Sequence, residues 1–204
     1  MKIYDEKGKL INHELVENIE QKLAYRYIRP YHKVLELGAR YGSVSIITNQ
    51  IVKDKSSHYV VEPDKEVWSA LETNMKLNDC QFNIIKGIIG TEGRKHRLVG
   101  EGYAKRTIED PSYSPLAGVG NSQIEAVKLP QVDFNALIVD CEGYLETFYN
   151  ENKELFSKLD LMIVECDEPD KCNYEYLFSE FDKLNFRIVE HIRAYCQYYV
   201  FVKK

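Results

Sequence analysis

Four apolar runs in this chain of 204 residues carry or close on a carboxylate. Val34–Leu37 contains Glu36, His58–Val61 runs into Glu62, Ala136–Val139 into Asp140, and Leu161–Val164 into Glu165. If these runs are parallel strands of an open α/β sheet, they end along one edge, and ligands bind outside that edge. Like charges gathered there repel unless something cationic or hydrogen-bonding meets them. Such acids can accept hydrogen bonds from hydroxyls, take a proton from a reacting group, or hold a metal ion. Solvated acids at helix starts would account for one or two of the four.

The elements that position these groups begin with Lys33–Ile47. A short apolar run turns through Gly38 and Gly42 and continues as a helix with Val44, Ile47 and Ile51 on one face. This is a strand, a glycine turn and a helix, with free N–H groups at the helix start facing a ligand. A dinucleotide fingerprint counted from Gly38 requires glycine at positions 40 and 43, where the chain has Arg40 and Ser43. An acid two residues before the first glycine would repel a pyrophosphate but suits a cationic, hydroxyl-rich ligand such as S-adenosylmethionine. Glu36, Gly38, Arg40, Gly42 and Ser43 are therefore candidate cofactor residues. Glu62, 20 residues beyond Gly42, closes the second strand and can accept from both ribose hydroxyls. Pro63 and Asp64 then start a helix with Val67, Trp68, Leu71 and Met75 on its core face. Phe82–Lys86 reads as a third strand. Gly87 and Ile88 after it suit either an adenine face or an ordinary strand-exit turn.

Elsewhere the pattern is plainer. Residues 2–11 form a short extended or hairpin segment around Gly8. A helix follows from Asn12 to Pro30, with Leu15, Ile19, Leu23 and Tyr27 recurring at four-residue spacing and its charges on the solvated face. Residues 1–30 are expected to cover the sheet or the cofactor mouth. Residues 91–130 break the βα rhythm with glycines and prolines, and Ile124–Leu129 adds at most one strand. So long an irregular stretch suits a lid or acceptor loop, and His96, Tyr103, Arg106 and Tyr113 are candidate acceptor contacts. After Asp140 come Cys141, Glu142 and Gly143, then a helical face of Leu145, Phe148, Phe156 and Leu159. A helix through Tyr174, Leu177, Phe181 and Leu184 and a terminal hairpin close the chain. No repeat or linker divides it, which predicts one domain over 1–204.

Net charge is −5 and no basic block stands out, which disfavours nucleic acid as a partner. No apolar run approaches the length of a membrane span, and the N-terminus lacks a signal-peptide core, so a cytoplasmic protein is expected, not one that acts at a membrane. Five cysteines without a C-x-x-C pair read as reduced packing residues.

Leu37–Gly42, Glu62–Asp64 with Asn74 and Asn78 downstream, and Ile138–Gly143 followed by Ile163–Glu165 together resemble the FkbM-type family of S-adenosylmethionine-dependent methyltransferases. The match runs from about Lys33 to the C-terminal hairpin. Family members often have Asp where this chain has Glu36, and a more apolar continuation where it has Leu145–Thr147. The resemblance implies a Rossmann-like class I fold: a seven-stranded, mostly parallel sheet with an antiparallel last strand and helices on both faces. It also implies methyl transfer to oxygen, often of a sugar or another hydroxylated small molecule. Glu36, Gly38 and Gly42 would flank the amino-acid end of the cofactor, and Asp140 would face the sulfonium and acceptor. Either Asp140 or Glu142 acts as base, with His96 and His191 as alternatives, or Asp140 with Glu165 or Asp167 holds magnesium or manganese. The rival class is a non-catalytic domain on the same fold, binding a glycan or partner through residues 91–130.

Overall fold

The structure is a computed structural model that describes residues 1–92, 94, 96–100, 102, 105–109, 123–124 and 126–204, with only the backbone of Arg106 and Gln123. The chain begins with β1 (Ile3–Tyr4), β2 (Leu10–Ile11), α1 (Asn18–Tyr27), β3 (Val34–Leu37), α2 (Ser43–Ile51), β4 (His58–Glu62), α3 (Trp68–Leu77) and β5 (Asn83–Lys86). Short strands follow: β6 (Ile88–Ile89), β7 (His96–Val99), β8 (Arg106–Glu109), β9 (Gln123–Ile124) and β10 (Ala126–Val127). The last part comprises β11 (Ala136–Val139), α4 (Leu145–Glu151), α5 (Lys153–Lys158), β12 (Leu161–Cys166), α6 (Tyr174–Lys183), β13 (Phe186–Arg193) and β14 (Gln197–Lys203).

Seven strands form one sheet in the order β13-β14-β12-β11-β3-β4-β5. The five from β12 to β5 are mutually parallel, and β14 is antiparallel to both its neighbours. This is the sheet expected from the sequence. The central strands are continuous apolar runs because both faces are covered. Leu35, Leu37, Leu137, Val139, Met162 and Val164 pack with α4, α5 and α6 on one face. Val34, Ala136, Ile138, Leu161 and Ile163 pack with α1 and α2 on the other, where Val60 meets α3.

Several boundaries differ from the sequence reading. The helix expected from Asn12 splits into a short 3-10 turn at His13–Leu15 and α1, because Glu17 takes a left-handed φ of 47°. Leu15 is left 80% exposed, off the core face assigned to it. The helix expected at Pro63 starts only at Trp68. Asp64 first forms its own turn, its carboxylate accepting from Glu66 N and its carbonyl from Val67 N. Asn152, at φ −131°, interrupts the face drawn from Leu145 to Leu159 and divides it into α4 and α5. Residues 91–130 are more regular than expected where described: β8, β7 and β9 make an antiparallel sheet, and β6 pairs with β10 in parallel.

Candidate functional site

At the carboxyl edge of β3, β4 and β11 lies a cavity of about 630 Å³, within the usual range for a small-molecule site. Its walls are the strand ends, Leu15–Ile19 before and in α1, Ile88, Ile89, Leu98 and Lys105 from the small sheets and the segment before β8, and Tyr195 from the β13–β14 turn. Among the described residues six carboxylates line it (Glu17, Glu62, Asp64, Asp140, Glu142 and Glu165) against two cations, Arg40 and Lys105.

The glycine turn is built for close packing. Gly38 has φ 86°, and a Cβ there would lie 1.6 Å from the carbonyl oxygen of Asp140. A strict need for glycine thus comes from the close approach of the paired β3 and β11 ends. Gly42, at φ 84°, would push a Cβ to 2.8 Å from Leu71 Cδ1.

Glu62 is 5% exposed. One carboxylate oxygen accepts from Arg40 N at 2.6 Å and the other from Asp64 N at 2.7 Å. An ionised carboxylate offers about four acceptor directions, so about two remain. Burial raises this carboxyl to about 7, against the pull of those two backbone bonds. Lys105 Nζ closes the neighbouring wall, 2.8 Å from Asp64 and 2.5 Å from Glu66.

Asp140 follows β11, its N–H on Leu37 O at 2.9 Å. Its carboxyl is raised well above the usual range by burial and then by the charges of Glu17, Glu20, Asp167 and Glu142. Glu142 is raised to about 8, by burial first and then by the hydrogen bond with Asp167. Glu17, partly buried and bonded to Ser43 Oγ, is also raised to about 8, chiefly by burial. Glu165 lies far above its ordinary value through burial, its contact with Glu20 and the nearby Asp140. Five described non-glycine residues have positive φ, and three of them (Glu17, Arg40 and Glu142) line this cavity. Strained backbone of this kind concentrates at functional sites.

Of the residues singled out in the sequence, the cavity brings together Gly38, Arg40, Glu62, Ile88, Asp140, Glu142 and Glu165. Glu36, Gly42, Ser43 and Gly87 do not line it. Glu36 points under α2, 1% exposed, with Ser45 Oγ at 2.6 Å and His58 Nε2 at 3.1 Å. Strand alternation sends it to the face opposite Leu35 and Leu37. His96 is buried against Tyr144, ring centroids 6.0 Å apart, and its imidazole is lowered by burial. His191 is exposed and stacks on Tyr199 at 4.1 Å. Neither lines the cavity. Arg106 stands in β8; its side chain, with Tyr103 and Tyr113, lies outside the described residues. The metal set drawn from sequence divides in two around Asp140: Glu20 with Glu165, and Glu142 with Asp167.

Sequence reading missed Glu17 and Glu20, placed on a solvated helix face. Glu20 is only 3% exposed. A signal existed: Leu23, Ala24 and Tyr27 follow it at i+3, i+4 and i+7, so it shares their inward face.

Comparison with solved structures shows that the chain shares its Rossmann-like α/β fold with several methyltransferases. It is similar to precorrin-6y C5,15-methyltransferase from Geobacter metallireducens (12% identity, 96% of this chain and 91% of that one, TM-score 0.56). It is also similar to a ribosomal protein L11 methylase from Lactobacillus delbrueckii subsp. bulgaricus (16% identity, 92% and 78%, TM-score 0.53). A third similarity is to a proposed O-methyltransferase from Klebsiella pneumoniae (13% identity, 95% and 84%, TM-score 0.54). No family model and no curated protein sequence matches the chain. At these identities the likeness extends to the fold. No helix of the described residues is long and apolar enough to cross a membrane.

Proposed function

We propose that this chain is an S-adenosylmethionine-dependent O-methyltransferase of FkbM type, acting on a hydroxyl of a sugar, a glycan or another small hydroxylated molecule. The observation that carries the cofactor assignment is Glu62. It is a buried carboxylate at the end of β4, fixed by two backbone N–H groups and left with acceptor directions at the cavity. A vicinal diol fits it, and an acidic cavity suits a sulfonium cation. Val61, Ile88 and Leu98 supply an apolar wall beside it for a base.

The six cavity carboxylates and the net charge of −5 favour a neutral or cationic acceptor over a phosphate polyanion. S-adenosylmethionine, when bound, supplies an electrophilic methyl group. The residues of the chain hold the acceptor oxygen in line with it and exclude water. A sugar hydroxyl is a weak nucleophile, so a base must take its proton. Either Asp140 or the neighbouring Glu142 is assigned that role, and burial raises both carboxyls, that of Glu142 to about 8.

The test is transfer of labelled methyl from S-adenosylmethionine to a panel of sugars and hydroxylated metabolites, with Asp140→Asn as comparison. The variant is expected to bind S-adenosylhomocysteine and to lose turnover by about 10²-fold or more. Unchanged turnover excludes Asp140 as the base. Binding of S-adenosylhomocysteine without transfer to any acceptor favours the non-catalytic reading.

A further inference from the structure

Glu20 is the least expected group in the molecule. It lies on α1, 3% exposed, and its carboxylate oxygens have no hydrogen-bond partner besides another acid, Glu165. A carboxylate withdrawn from water with nothing to replace the water is strongly disfavoured. Glu20 also faces two more acids: one oxygen each from Glu20, Asp140 and Glu165 lie within 4.8 Å of one another.

We propose that Glu20, Asp140 and Glu165 form a binding site for a hard divalent cation of the magnesium or manganese class, between α1 and the ends of β11 and β12. Oxygen ligands on opposite sides of such an ion stand about 4–5 Å apart, so the three oxygens already span one coordination sphere. An all-oxygen donor set selects hard cations over zinc or copper. Three ionised carboxylates leave a larger buried residual charge with an ammonium group than with a dication, which favours the metal. The described cavity cations are placed elsewhere: Lys105 on Asp64 and Glu66, and the Arg40 guanidinium over the Tyr41 ring. Glu165 is further oriented by Cys196 Sγ at 2.7 Å and Tyr198 OH at 3.4 Å, both on the same oxygen. Such outer donors fix the direction of a ligating carboxylate.

The ion's catalytic use rests on the methyltransferase reading, whereas its binding does not. In that use it would bind the acceptor oxygen and lower the hydroxyl pKa. With Asp140 on the ion, Glu142 takes the acceptor proton. The oxygen–methyl bond then forms as the sulfur–methyl bond breaks, leaving a neutral thioether.

The experiment is a manganese titration of the chelator-treated full chain, read by loss of the free-ion paramagnetic resonance signal. Saturable binding of one ion per chain at micromolar concentration is expected, weakened about tenfold or more in Glu20→Gln. Melting temperature should rise with manganese in the wild type and much less in the variant. No saturable binding to the wild type overturns the proposal, and this outcome does not depend on any variant folding. Equal binding by a folded Glu20→Gln also overturns it, as does binding lost in Asp167→Asn but kept in Glu20→Gln, which would move the ion to the other acid trio. Tighter binding of an alkylammonium than of manganese would overturn it in favour of an amine site. Calorimetry with S-adenosylhomocysteine on the metal-free protein separates the two readings. Cofactor binding without manganese binding sinks the metal site alone, and manganese binding without cofactor binding sinks the methyltransferase reading alone.

Discussion

Glu62→Gln isolates the group on which the cofactor assignment depends. In the wild type its two oxygens hold Arg40 N at 2.6 Å and Asp64 N at 2.7 Å, and about two acceptor directions remain for the ribose hydroxyls. A hydrogen bond to a charged group contributes about 1.5–3 kcal/mol. Glutamine keeps one acceptor oxygen and loses the charge, so the net loss is about 2–3 kcal/mol, or roughly 30- to 150-fold in Kd for S-adenosylhomocysteine. The pH dependence sharpens the prediction. Burial raises the Glu62 carboxyl to about 7, and only the carboxylate form accepts from both hydroxyls. Wild-type affinity should therefore fall as pH is lowered through that value, and this part of the profile should be absent from the variant. Folding is checked by melting temperature. Removal of a buried charge and loss of an acceptor for one backbone N–H oppose each other, so a modest shift is expected. The assay is isothermal calorimetry across the pH range. A folded Glu62→Gln that binds as tightly as the wild type, with the same pH profile, would refute the assignment.

The ligand-free protein should lose stability as pH rises. Glu62 is raised to about 7, and Glu17 and Glu142 to about 8, each chiefly by burial, while in the unfolded chain they titrate near 4.5. A folded pKa above the unfolded one means stability present below the unfolded value and lost as pH climbs through the folded one. Melting temperature should fall between about pH 5 and pH 8.5, and a flat or rising profile would contradict the burial of these acids. Gly38→Ala forces a Cβ to 1.6 Å from Asp140 O at a φ of 86°. It should cost several kcal/mol, on the order of 3 or more, and leave the protein largely insoluble. A soluble variant with wild-type melting temperature would show that the approach of the β3 and β11 ends is looser than described.

The sheet was legible because its strands announce themselves. Runs such as Ala136–Val139 and Leu161–Val164 are apolar at every position, as strands covered on both faces must be. The acids closing them were legible for the same reason: Glu62, Asp140 and Glu165 end these apolar runs and line the cavity. Glu36 followed the same rule and was misplaced. It lies within its strand, and alternation sends it beneath α2 to Ser45 and His58. The N-terminal acids were hidden by a different cause. Charges on an amphipathic helix usually face water, and the i+3, i+4 and i+7 spacing to Leu23, Ala24 and Tyr27 that turns Glu20 toward the sheet face is easily outweighed by that expectation. The backbone reversal at Glu17, φ 47°, has no sequence signature, since glutamate is not a residue that favours it.

The strained residues and the acids are two aspects of one arrangement. Glu17 and Glu142 hold left-handed backbone and titrate near 8, and both belong to the set of charges that raises Asp140. A fold selected only for stability would relieve both by replacing them, since each positive φ at a non-glycine costs about 1–3 kcal/mol and each buried like charge adds to it. Their convergence on one cavity means that the ligand-free state is locally destabilised, and a cation entering the cavity recovers the electrostatic part. Cofactor and metal should therefore raise the melting temperature more at pH 8 than at pH 6. At the higher pH the carboxylates are ionised and the repulsion they relieve is largest. A stabilisation that is equal at the two values would separate the acids from the ligand and leave them a feature of the fold alone.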